Sequence, residues 1–89
     1  MTSKEAKKYV GCEYSLLELD NLFCDGNDHD GIFRGDVADE KIKDLRNDGE
    51  AIISYTSDDE SEECYNVWVS LVKDNKDPFK IIVNIDYVD

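Results

Sequence analysis

From Glu50 to the end of the chain, apolar residues fall on alternate positions, and no other feature limits the possible folds as much. Ile53 and Tyr55 alternate before a polar break, and Tyr65, Val67, Val69 and Leu71 alternate after it. Phe79, Ile81, Val83, Ile85 and Tyr87 then alternate with Lys80, Ile82, Asn84, Asp86 and Val88. Successive side chains of a strand point to opposite faces, so the pattern predicts three strands, at about 50–56, 65–72 and 79–88. Short polar connections join them, and Pro78 stands at the start of the last strand, where a missing N–H is tolerated. Such strands form an antiparallel meander with the second strand in the middle.

Before Glu50 the spacing is helical. Thr2 with Glu5 and Ser15 with Glu18 each fit a capping box, and Gly11 and the Asp25-Gly26 pair fit helix stops. They bound a first helix near residues 3–10 and a second carrying Leu16, Leu19, Leu22 and Phe23. Asp36 offers an N-cap for a third helix, with Ala38, Ile42 and Leu45 on one face and a stop near Asn47-Asp48-Gly49. Residues 25–36 hold three glycines and read as a loop, or as a short strand near 31–34 through Ile32 and Phe33. The expected fold is a single α+β domain over residues 1–89. Two or three short N-terminal helices pack on a C-terminal three-stranded antiparallel meander, with a possible extra short strand near 31–34. A 40% hydrophobic content in 89 residues supports one modest core.

The helices are expected on the face carrying Val67, Val69, Ile81, Val83 and Ile85, which sets Ile52, Trp68, Val72 and Ile82 on the opposite parity. Two readings of Trp68 are open: a residue covered by the first helix or the 25–36 loop, or an aromatic anchor in an interface.

Charge carries the functional argument. The chain has 22 acids against 10 bases, a net charge of -12. The stretch 57–64 holds Asp58, Asp59, Glu60, Glu62 and Glu63 with no base, and Asp25, Asp28, Asp30 and Asp36 thicken the acidity before it. Solubility alone needs a net charge of about 2–8 in a small domain, preferably of mixed sign. Free nucleic acid and anionic membranes would repel this surface, whereas a basic protein groove would attract it. No apolar run approaches the roughly 18 residues of a membrane span. Cys12, Cys24 and Cys64 are an odd number, and the first residues, with Lys4, Glu5, Lys7 and Lys8, make no signal peptide, so a cytoplasmic protein is expected.

Catalytic and metal motifs fail on spacing. An EF-hand loop begun at Asp25 lacks the turning Gly and the bidentate Glu, since Asp30 and Asp36 stand in those places. Cys12, Cys24, His29 and Cys64 have zinc-ligand chemistry without the close pairing of a zinc site. No nucleophile elbow, P-loop or dinucleotide fingerprint is present. The expectation is a protein that is not an enzyme and uses no cofactor or metal.

Small size, strong acidity and a Lys/Asp/Asn-rich composition resemble the phage-encoded anti-defence class, which includes anti-CRISPR, anti-restriction and uracil-DNA glycosylase inhibitors. The resemblance is one of type across the whole chain. It implies an inhibitor that blocks the nucleic-acid site of a basic nucleic-acid-binding protein by phosphate mimicry. The candidate partner-binding residues are Asp58, Asp59, Glu60, Glu62, Glu63, Asp25, Asp28, Asp30, Asp36 and Trp68. An immunity protein for a nuclease toxin would use the same physics. A cation-binding regulator built on the 25–36 loop, and a structural protein dimerising along the edge of the last strand, belong to other classes.

Overall fold

A computed structural model describes residues 2–23, 36–56 and 64–89. Among them run α1 (Ser3–Ala6), a 3₁₀ turn (Lys7–Tyr9), β1 (Glu13–Ser15), α2 (Leu16–Phe23), α3 (Asp36–Asp48), β2 (Glu50–Thr56), β3 (Cys64–Lys73), a second 3₁₀ turn (Pro78–Lys80) and β4 (Ile82–Val88). The chain has an α+β fold, with helices gathered N-terminally and the sheet mostly C-terminal. All pairings are antiparallel in the order β1-β4-β3-β2, so the meander stands as read, with β3 between β2 and β4. The expected short strand near 31–34 lies outside the described residues.

The helices start where their hydroxyl caps place them. Thr2 Oγ1 accepts the Glu5 backbone N–H at 3.2 Å and donates to Glu5 Oε1 at 3.1 Å. Ser15 repeats the arrangement with Glu18 at 3.2 and 3.0 Å. Each hydroxyl thereby occupies one of the amide donors that a helix leaves orphaned at its start. Replacing Ser15 with Ala is expected to cost about 1 kcal/mol, read as a lower urea midpoint with an unchanged slope. Leu16, Leu19 and Phe23 form the buried stripe of α2, and Ile42 and Leu45 that of α3. Gly49 ends α3 at φ 77°, a left-handed conformation that costs little only for Gly. Its N–H bonds Leu45 O and its carbonyl accepts from Leu71 N–H, so the next residue is already in β2. The helix therefore folds straight back onto its own strand.

The structure departs from the sequence reading in three places. The first helix ends at Ala6 and tightens into a 3₁₀ turn. Beyond Gly11 (φ 91°) the chain is then captured by β4, through Gly11 N–H to Ile85 O at 2.7 Å and Ile85 N–H to Cys12 O at 3.0 Å. That adds β1 as a fourth strand and covers the Ile82–Ile85 part of the β4 edge expected as a dimerisation edge. The last strand begins at Ile82, because Asp77 caps a 3₁₀ turn through Phe79 N–H at 3.0 Å and leaves Phe79 exposed. Finally, β4 is bulged. Val69 pairs with Ile85 but Trp68 pairs with Tyr87, so Asp86 is the extra residue. The bulge turns Tyr87 out of the core face and brings Val88 into it, opposite Val67.

The buried residues form one core cluster between the helices and a single face of the sheet, from Ala6 and Leu16 through Tyr55, Val67 and Val83 to Val88. No described helix packs on the other face.

Candidate partner-binding surface

The described residues that flank the two acidic segments meet at one end of the molecule. Phe23 is the last described residue before segment 24–35, and its ring lies 5.1 Å from that of Tyr55 and 6.4 Å from that of Tyr65. Tyr55 and Tyr65 face each other across β2 and β3, one pair short of Thr56 and Cys64, which bound segment 57–63. Tyr9 closes the cluster edge-on to Phe23 at 6.3 Å, and Tyr55 donates its hydroxyl proton to Asp20 Oδ1 at 2.6 Å. Such ring pairs add roughly 0.5–1.5 kcal/mol each beyond the apolar area they bury.

The fourth anchor arrives by a different route. Since α3 reverses at Gly49 and packs back along β2, its 13 residues, about 20 Å of helix, carry Asp36 toward the Thr56 end of the 7-residue strand. Phe23, Asp36, Thr56 and Cys64 thus share one end of the sheet. The segments strung between them, 24–35 and 57–63, contain eight acids and Arg34 as the one base, so their sequences hold -7 of the chain's -12.

The opposite end of the sheet is mixed in charge, with Asp74 and Asp77 set among its lysines. Lys73, Lys76 and Lys80 surround the β3–β4 connection, about 33 Å from Cys64 along the 10-residue β3. Arg46, in the last turn of α3, ties down this connection through Nε to Asp74 Oδ1 at 3.1 Å and Nη2 to Asn75 O at 2.7 Å. The Arg46 hydrogen bond holds the Asp74 carboxyl below its ordinary range, helped by the Asn75 backbone N–H. The anchored ends of the fold therefore differ in charge.

On the open face, four levels of residues climb from Glu50 toward the acidic end. Glu50, Ser70, Asn84 and Glu13 stand side by side across β2, β3, β4 and β1. Above them Ile52 lies opposite Trp68, and Trp68 opposite Tyr87, with the two aromatic rings edge-to-face at 5.2 Å. Ser54 and Asn66 form the next level, joined side chain to side chain at 2.7 Å, and Thr56 with Cys64 closes the strands. Ile52 is 42% and Tyr87 55% exposed, while Trp68 is half-buried. Asp86, beside this row, accepts from Ser70 Oγ at 3.0 Å and Asn84 Nδ2 at 2.7 Å.

Of the residues expected to bind a partner, Trp68 is on the open face as its parity indicated, and Asp36 is the first residue of α3. Asp25, Asp28, Asp30, Asp58, Asp59, Glu60, Glu62 and Glu63 lie outside the described residues, as do Cys24 and His29. Of the two covers expected for Trp68, the first helix is not met, because α1 buries Ala6 in the core on the other side of the sheet, and the 25–36 loop lies, but for Asp36, outside the described residues. Tyr87 and Asp86 were missed. Strict alternation puts Tyr87 on the core face, and only the pairing of β4 with β3 shows the bulge that turns it out.

No protein-family model, no curated protein and no solved structure matches this chain. Among the described residues, no helix is long and apolar enough to cross a membrane.

Proposed function

We propose that this chain is a small acidic inhibitor, a binding protein and not an enzyme. It occupies the basic groove of a nucleic-acid-processing protein and blocks nucleic-acid binding by phosphate mimicry. The observation that supports the reading is the convergence of Phe23, Asp36, Thr56 and Cys64, which roots both acidic segments at one end of the sheet. An opposing basic groove would meet their charge as one field, which speeds encounter and disfavours wrong partners. The other end, where Lys73, Lys76 and Lys80 offset Asp74 and Asp77, carries no comparable acidity in its sequence, so the field of the molecule is strongest at the acidic end. Ile52, Trp68 and Tyr87 lie within about 13 Å of the last strand pair, four residues along the ladder. A standard interface of about 800 Å² per partner is roughly 30 Å across and takes in both regions. Action of the phage anti-defence type, in the cytoplasm, fits this physics.

Affinity capture from bacterial cells with intact defence systems, followed by competition with labelled duplex, tests the proposal. The expected result is a basic nucleic-acid-binding protein whose duplex binding is displaced in proportion to the added chain. A captured partner that holds duplex and this chain together, each at undiminished affinity, would overturn it.

A further inference from the structure

We infer that the open sheet face carries a receiving site for an arginine side chain of the partner, formed by Trp68, Tyr87 and Asp86. This deepens the reading above by naming the partner chemistry that the face fits. A guanidinium is planar, stacks on aromatic rings and donates hydrogen bonds in a fixed fork to a carboxylate. The bulge supplies both needs from adjacent residues. It turns Tyr87 outward against Trp68 in an edge-to-face pair at 5.2 Å, and places Asp86 on the same face. Ser70 and Asn84 both donate to Asp86 Oδ1, which fixes the carboxylate and leaves Oδ2 without a hydrogen bond among the described residues.

The charge of the face points the same way. Glu50, Asp86 and Glu13 sit on it, and the described strands bring no base until Lys73, opposite Ile82 at the far end. Exposed Ile52 beside Trp68 and the half-buried Ile82 below give apolar ground for the methylenes of the arginine stem. A lysine, with a compact and strongly hydrated ammonium, gains less from the same surroundings.

The chain has one tryptophan, so its fluorescence reports directly on this face. Titration with oligoarginine and oligolysine peptides of equal length is expected to shift Trp68 emission, with the arginine peptide roughly tenfold tighter. Tyr87→Ala and Asp86→Asn should each reduce that preference to about twofold or less, and Tyr87→Phe should retain it, all with unchanged circular dichroism. Equal affinity for the two peptides, or a preference that survives both Tyr87→Ala and Asp86→Asn, would overturn the inference. Neutralising the five acids of 57–63 separates this result from the function proposed above. Loss of overall affinity with the arginine preference kept supports both. Loss of affinity with no preference at any stage sinks only the arginine site.

Discussion

Phe23→Ala is expected to remove about 3–5 kcal/mol from the unfolding free energy. Phe23 is 1% exposed and touches the rings of Tyr9, Tyr55 and Tyr65, so truncation opens a cavity lined by three aromatics that cannot all close in. Domains of this size have about 5–15 kcal/mol in total, and a net charge of -12 lowers the compact state further by self-repulsion. Much of the variant population should therefore be unfolded at low ionic strength and partly recovered by salt, which shortens the range of the repulsion to about 10 Å at 0.1 M. Urea titration at low and moderate salt reads both effects. Leu17→Ala, on the exposed side of α2, is the control and should stay within about 0.5 kcal/mol. A loss below about 1 kcal/mol for Phe23→Ala would mean that the aromatic cluster does not hold the acidic end together.

The second large effect lies in binding and has the opposite sign for stability. Changing Asp58 and Asp59 to Asn, and Glu60, Glu62 and Glu63 to Gln, removes five negative charges from one short segment. Less self-repulsion should leave the fold as stable or slightly more so. Affinity for the captured partner should fall on the order of 100-fold at low salt, since single close charge pairs in interfaces couple by about 1.5 kcal/mol or more. A variant that is firmer and binds worse cannot be explained by unfolding. A variant that is firmer and binds equally well would make the segment a solvated loop that confers solubility and nothing else.

The parts of the fold legible in the sequence are those where local chemistry and tertiary packing agree. Thr2 and Ser15 announced their caps because a hydroxyl three residues before a Glu has few better uses. The alternation of Val67, Val69, Val83 and Ile85 survived folding because a one-residue slip would have moved each of them into water. Three features were hidden because the sequence pattern carries them only weakly. β1 spans three residues, of which Ser15 is buried and Tyr14 partly so, too short a run for a period to show. Phe79 has the parity of a core residue, but Asp77 and Pro78 divert the backbone into a 3₁₀ turn first. Tyr87 is exposed only because Asp86 is inserted against Trp68 and Val69, a consequence of register between two strands that neither reveals alone. The candidate surface divides along the same line. Trp68 was placed on the open face by parity. The convergence of Phe23, Asp36, Thr56 and Cys64 depends on how α2 and α3 pack, which charge counting along the chain does not contain.

The most direct test of the proposed mimicry is the slope of log affinity against log salt for the captured partner, measured with the native chain and the five-substituted variant side by side. Nucleic acid leaving a basic groove gives such plots a steep slope, and a phosphate mimic in the same groove inherits it. Phosphate mimicry implies a steep fall in affinity with salt for the native chain, a markedly shallower one for the variant, and convergence of the two lines at high ionic strength. Parallel lines of equal slope would contradict it, because the carboxylates of 57–63 would then take no part in the contact.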